Sequence, residues 1–249
     1  ITYMMRKRFK KKHLLNDPRI KKAKQLICDA LREYQSLFMH SKGPTSSVQT
    51  DILCASKYRG GNLFFPYISS GLGQGSKVLL TDGSVKLDFI NGIGAHFGHS
   101  LDFLRDASID AAIEDTIMQG NLQQTEQSFE LMKLLLSQSH MDHCILTSSG
   151  AMANENALKL LMHKQPTKRR ILAFEGCFMG RTLSLAQITD KAKYRSGLPQ
   201  TMHVDYLPFF DPAHPKKSIL NTTQCLHKLL QRYPDQYVGM CMELIQGEG

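Results

Sequence analysis

No apolar run in the 249 residues approaches the roughly 18–20 that a helical membrane span requires, so nothing argues for a bilayer anchor. A signal-peptide pattern is missing too, because the basic residues near the start lead into no apolar stretch. A cytoplasmic protein is therefore expected, with no membrane partner. None of the six cysteines (Cys28, Cys54, Cys144, Cys177, Cys225, Cys241) forms a CxxC pair, which argues against structural zinc and against a disulfide framework. Reduced, mostly buried thiols are the expectation. Internal repeats and low-complexity tracts are also absent. The run Gly71-x-Gly73-x-Gly75 lacks GxGxxG spacing and precedes a strand pattern, and Gly92-x-Gly94 opens no helix, so neither supports a nicotinamide site.

The body of the chain also lacks net charge. Of the formal +9, all resides in residues 1–24, which hold ten cations and the single anion Asp17. The remaining residues carry 21 cations and 21 anions, with no footprint of a phosphate-backbone binder. The head itself could touch nucleic acid or an anionic membrane, or act as an import signal. It has no serine and leads into a capped helix, which argues against import, and by the general rule for charge runs it reads as a solvated basic tail over 1–16 with no nucleic-acid partner.

What is present reads as an α/β protein. Asp17-Pro18 starts a helix, with Asp17 as cap and Pro18 in the first turn. Ile20, Ala23, Ile27, Ala30, Leu31, Tyr34, Leu37 and Phe38 follow at helical spacing. Residues 41–75 read as loop-rich. Val78–Thr81, the Asp82-Gly83 turn and Val85–Ile90 read as a hairpin. From about Asp102, helical windows (124–137, 153–163, 222–233) alternate with β-rich runs at 143–147, 170–174, 202–207 and 237–245. That alternation predicts a mostly parallel sheet in a larger domain over 101–249, after a smaller segment over 17–100.

Three segments carry candidate chemistry. In the first, an apolar run ends in Ser148-Ser149-Gly150 and a helical pattern begins at Ala151-Met152. Backbone N–H groups at such a helix start favour an anion, and small residues allow close approach. The second is Phe178-Met179-Gly180-Arg181-Thr182, an aromatic face beside a guanidinium that binds carboxylates bidentately. The third, Glu243-Leu244-Ile245-Gln246-Gly247-Glu248-Gly249, gathers two carboxylates and an amide at the end of a strand, where open α/β sheets place ligands.

In this order the three segments resemble the class III (omega) aminotransferases, whose pattern pairs Ser-Gly-small-Glu-Ala-Asn-Glu with Phe-His-Gly-Arg-Thr and Glu-Pro-x-Gln-Gly-Glu-Gly. The upstream Leu87-Asp88-Phe89 to Gly98-His99 is similar to a further family stretch. Met152, Met179 and Leu244 depart from the pattern where Glu, His or Trp, and Pro are usual. The resemblance implies a fold type I pyridoxal-phosphate fold, with a small N-terminal α+β lobe and a large domain, and pyridoxal 5'-phosphate as cofactor. It implies that Ser149, Gly150, Ala151 and Met152 hold the cofactor phosphate, that Phe178 stacks on the ring and that Glu243 lies near it. Arg181 would clamp the substrate carboxylate, and Glu248 would pair with a gating arginine further along.

An amino donor of the acetylornithine, ornithine or 4-aminobutyrate type, 2-oxoglutarate as acceptor and a homodimer are implied on the same ground. No catalytic residue is expected within the chain: the Schiff-base lysine and the ring-pairing aspartate belong to segments expected after Gly249. Ile1 is not a methionine, so the true start is expected upstream; Gly249 ends the chain within the third motif, so a truncated large domain is expected, inactive alone and exposing apolar surface. Two other functions share this frame: a non-catalytic binding protein on the same scaffold, and an aminomutase.

Overall fold

The computed structural model describes residues 12–38, 40, 43–44, 47–90, 97–114 and 124–248. The basic residues Arg6 to Lys11, the stretch Gly92 to His96 and Gly249 lie outside the described residues. Contacts divide the chain into two compact units, Ile1–Gln123 and Gln124–Gly249.

The first unit runs α1 (Lys12–Leu15), α2 (Pro18–Phe38), α3 (Gln49–Arg59), β1 (Ser69–Gln74), β2 (Lys77–Leu80), β3 (Val85–Leu87) and α4 (Asp102–Ile113). Asp17 caps α2: its carbonyl takes the Lys21 N–H at 3.0 Å and its carboxylate the Arg19 N–H at 2.9 Å. The Arg19 side chain also binds that carboxylate and holds it at about 2. The covered face of α2 differs from the apolar spacing. Cys28 and Gln35 are the buried residues, while Ile27, Tyr34 and Leu37 are exposed. Polar bonds decide this: Lys24 pairs with Asp110 of α4 at 2.7 Å, and the Gln35 amide donates to the Gly73 carbonyl at 2.9 Å.

The hairpin forms with Val78 opposite Lys86, and β1 joins it antiparallel, giving the order β1-β2-β3. The segment 41–75, expected to be loop-rich, also holds a helix and a strand. In β1, Gly73 lets His99 approach, since a Cβ there would stand 2.8 Å from the His99 Cβ. A glycine-rich strand gives little β signal, which hid it from the sequence. Helix α3 buries no residue and has no apolar stripe to find; Asp51 at its start, Lys57 and Arg59 at its end and a left-handed Gly60 after it suit its termini.

The second unit runs α5 (Glu126–Ser139), α6 (Gly150–Lys164), β4 (Arg170–Phe174), α7 (Leu185–Ile188), α8 (Ala192–Arg195), β5 (His203–Leu207), α9 (Pro215–Arg232) and β6 (Tyr237–Met240). The strands form a parallel sheet in the order β5-β4-β6, as the alternation predicts. Side chains of β4 alternate between two cores. Ile171 and Ala173 pack with Leu158 of α6, Leu185 and Ile188 of α7, and Val238. Leu172 and Phe174 pack with Leu207 and with Cys225, Leu226 and Leu229 of α9. The sheet is therefore covered on both faces, as parallel sheets require.

Residues 143–147, expected as a strand, join no strand among the described residues. Central β4 already pairs on both sides, and neither β5 nor β6 takes this segment as a neighbour. The last strand also ends at Met240, short of the expected Ile245, although the Cys241 N–H still reaches the Leu172 carbonyl at 2.8 Å. Only Cys28 and Cys177 are buried, whereas Cys54 is exposed; all six cysteines are free. No described helix is long and apolar enough to cross a membrane.

Candidate active site

The second unit brings the three motif segments together at the C-terminal end of β4. Ser149 is the N-cap of α6, and its hydroxyl accepts the Met152 N–H at 3.2 Å. The Ala153 N–H bonds the Ser149 carbonyl. That leaves the N–H groups of Gly150 and Ala151 as the open donors of the first turn. Nothing lies within 4 Å of a Cβ built on Gly150, so the backbone there is open to a ligand. Of the four residues assigned to phosphate from the sequence, Ser149 and Met152 thus satisfy one another, and Gly150 and Ala151 keep their donors.

The start of α6 packs on the second segment. A Cβ on Gly180 would come 3.3 Å from the Ala151 Cβ, the Asn154 amide donates to the Met179 carbonyl at 2.8 Å, and the Thr182 hydroxyl donates to the Glu155 carboxylate. The third segment reaches the same loop. One Glu243 oxygen accepts the Phe178 N–H at 2.8 Å and the other the Gly247 N–H at 3.1 Å. Gln246 donates to the Glu175 carbonyl at 2.7 Å. The Glu243 carboxylate is thus committed to two backbone groups of the site.

The Phe178 ring meets Tyr194 of α8 edge-on, with centroids 6.1 Å apart, and is only partly covered. The Arg181 side chain is exposed and makes no hydrogen bond or ion pair among the described residues. The Glu248 carbonyl accepts from the Lys191 ammonium at 2.9 Å. Below the loop, full burial of Cys177 and partial burial of Cys241 raise both thiols, which keeps them protonated. Burial likewise pushes Tyr206 up to about 12, and its hydroxyl donates toward the Gln187 and Ile188 carbonyls.

Sequence reasoning missed Thr189, Lys191 and Tyr194, which carry no motif spacing relative to Phe178. They arrive through the turn that follows α7 and through α8. Chemically, the arrangement offers one partly covered aromatic face and, without partners among the described residues, two N–H donors for an anion and one guanidinium. A phosphorylated planar ring with a carboxylate-bearing substrate fits those groups.

Residues 46–249 match the model of the family described as Aminotransferase class-III. The chain is similar to acetylornithine aminotransferase 1 of Bradyrhizobium diazoefficiens, 33% identical over 184 residues, covering 71% of this chain and 42% of that protein. The acetylornithine aminotransferase of Methanocaldococcus jannaschii is 31% identical over 185 residues, covering 71% and 42%. Among solved structures, taurine:2-oxoglutarate aminotransferase from Bifidobacterium kashiwanohense, in complex with pyridoxal phosphate and glutamate, superposes with a TM-score of 0.67 at 17% identity, over 83% of this chain and 49% of that one. An ornithine aminotransferase from Toxoplasma gondii gives 0.65 at 17% identity, over 87% and 49%. These neighbours share the fold type I architecture expected from the sequence. The chain spans less than half the length of the curated relatives it matches. With the family model matched over most of its residues, this chain belongs to the class III aminotransferases.

Proposed function

We propose that this chain supplies the phosphate-binding and ring-stacking part of an active site in which the complete protein, with pyridoxal 5'-phosphate, transfers an amino group from an omega-amino acid or amine to 2-oxoglutarate. Acetylornithine, ornithine and 4-aminobutyrate are the first donors to consider. The observation that carries the reading is the convergence of the three segments: α6 packs on Gly180, and Glu243 holds the Phe178 N–H.

The residues fit the cofactor. Gly150 and Ala151 would take its phosphate on free N–H groups, with Ser149 holding the turn through Met152. Phe178 would cover one face of the ring, and Arg181 would receive a substrate carboxylate bidentately. Glu243 would hold Phe178 by its backbone, which is how it serves the cofactor, and Glu248 would stand at the substrate side. When bound, pyridoxal phosphate supplies an electron sink at the amine-bearing carbon, while the protein orients the reactants and excludes water.

The small-lobe and large-domain division at residue 100, the homodimer and the cytoplasmic location belong to the same reading. So does the inactivity of this chain alone, since the resemblance places the cofactor's lysine beyond Gly249. The test is the product of the complete gene, purified with pyridoxal phosphate and assayed for glutamate formation from 2-oxoglutarate with each donor. Turnover with one of them is expected. Cofactor binding without turnover on any donor would replace the transferase reading with the binding-protein one.

A further inference from the structure

Phe178 and Arg181 are separated by two residues, Met179 and Gly180, and every backbone polar group of that pair is held by one of two side chains. The Thr189 hydroxyl accepts the Met179 N–H at 3.0 Å and the Gly180 N–H at 3.2 Å, and donates to the Gly180 carbonyl at 2.8 Å. The Asn154 amide donates to the Met179 carbonyl at 2.8 Å. A hydroxyl has one donor and two lone pairs, so Thr189 is fully used. It is 0% exposed, and its own backbone is tied at both ends: its N–H bonds the Leu185 carbonyl at 2.8 Å, and its carbonyl takes the Lys191 N–H at 2.9 Å.

The loop has little room to move otherwise. Gly180 sits at φ +135°, and a Cβ there would stand 2.7 Å from Leu185 Cδ1. Arg181, by contrast, has no side-chain partner among the described residues, so the root of its guanidinium is placed by the backbone.

On the reading under Proposed function, we propose that Thr189, with Asn154, is a positioning residue that sets the aromatic face of Phe178 and the carboxylate clamp of Arg181 at a fixed separation. It touches neither cofactor nor substrate. It acts through the two peptide units between the residues that do. Thr189→Val keeps the volume but strands two N–H groups and a carbonyl, whereas Thr189→Ser keeps the hydroxyl.

The experiment uses the complete holoenzyme and reads KM for the 2-oxo acid against kcat, the visible circular dichroism of bound pyridoxal phosphate, and thermal unfolding. Thr189→Val is expected to raise KM on the order of tenfold with kcat less affected, and to diminish the dichroic band, while Thr189→Ser stays near the parent. A folded Thr189→Val with parental KM and dichroism overturns the proposal, as does equal impairment of the Ser and Val variants. If Thr189→Val does not fold, Asn154→Ala decides: a raised KM supports the clamp, and a parental one overturns it. Should the parent show no turnover, the functional reading fails, and amide hydrogen exchange judges the clamp. Slow exchange at Met179 and Gly180, accelerated in Thr189→Val but not in Thr189→Ser, keeps it; fast exchange in the parent, or exchange unchanged in Thr189→Val, removes it.

Discussion

Two charged residues of the site hold opposite positions. Glu243 is committed to backbone groups through both oxygens, so its carboxylate is spent on shaping the loop that carries Phe178. Arg181 makes no side-chain bond among the described residues and stays available. Its planar fork suits a carboxylate in a way that an ammonium does not. In the complete enzyme, Arg181→Lys is expected to raise KM for carboxylate substrates by roughly tenfold, since a bidentate pair becomes a point charge. Steady-state kinetics check this, and an unchanged KM removes Arg181 as the clamp. Arg181 was legible as a candidate because its Phe-x-Gly-Arg setting is local in sequence. Thr189 was not, since nothing in the chain announces that its hydroxyl folds back onto residues 179 and 180.

Strand pairing places a second charged group. Leu172 of β4 lies opposite Asp205 of β5, which brings Arg170, two residues back on the same face, onto the Asp205 carboxylate. The contact is bidentate at 2.8 and 2.9 Å, Tyr237 of β6 donates to the same carboxylate at 2.8 Å, and Arg170 stacks 3.6 Å over the Tyr233 ring. Burial pushes the Asp205 pKa upward, but the hydrogen bonds from Arg170 and Tyr237 outweigh it and leave the value below the ordinary 3.8. Burial, then its bond to Asp205, pushes Tyr237 up to about 12. A depressed carboxylate contributes stability that is present above its unfolded value and lost as pH falls through its folded value. Asp205→Asn is therefore expected to cost about 3 kcal/mol at pH 7 and to shrink the loss of stability below pH about 4. Urea unfolding across pH measures both, and an unchanged acid limb would show that the pair does not couple to folding.

At the scale of the whole chain, both units leave apolar side chains open. Leu244 and Ile245 after β6 are 86% and 90% exposed, Phe64 and Phe89 in the first unit are 86% and 89% exposed, and α2 leaves Ile27 and Leu37 uncovered. Scattered exposed apolar residues are ordinary, but adjacent ones in a motif segment ask for cover. The 249-residue chain alone is expected to bind an apolar fluorescent dye and to self-associate, and the complete protein is expected to bind less dye. Light scattering and dye titration on both forms test this. A monomeric, dye-silent chain would mean that these residues need no cover.

The sequence by itself determined the family, the parallel β4 and β5, the hairpin at Asp82-Gly83 and the three site segments. Each is written in contiguous residues: apolar runs with period 2, turn residues and short motifs whose chemistry is local. The tertiary structure decided which face of α2 is covered, because Lys24 and Gln35 find Asp110 and the Gly73 carbonyl on the polar side. It also decided that β1 forms from glycines and that residues 143–147 pair with no strand, since a ladder depends on neighbours rather than on propensity. Above all it decided how Phe178 and Arg181 are held: by Thr189, Asn154 and Glu243, whose bonds span 9 to 65 residues of chain and exist only once the chain has folded.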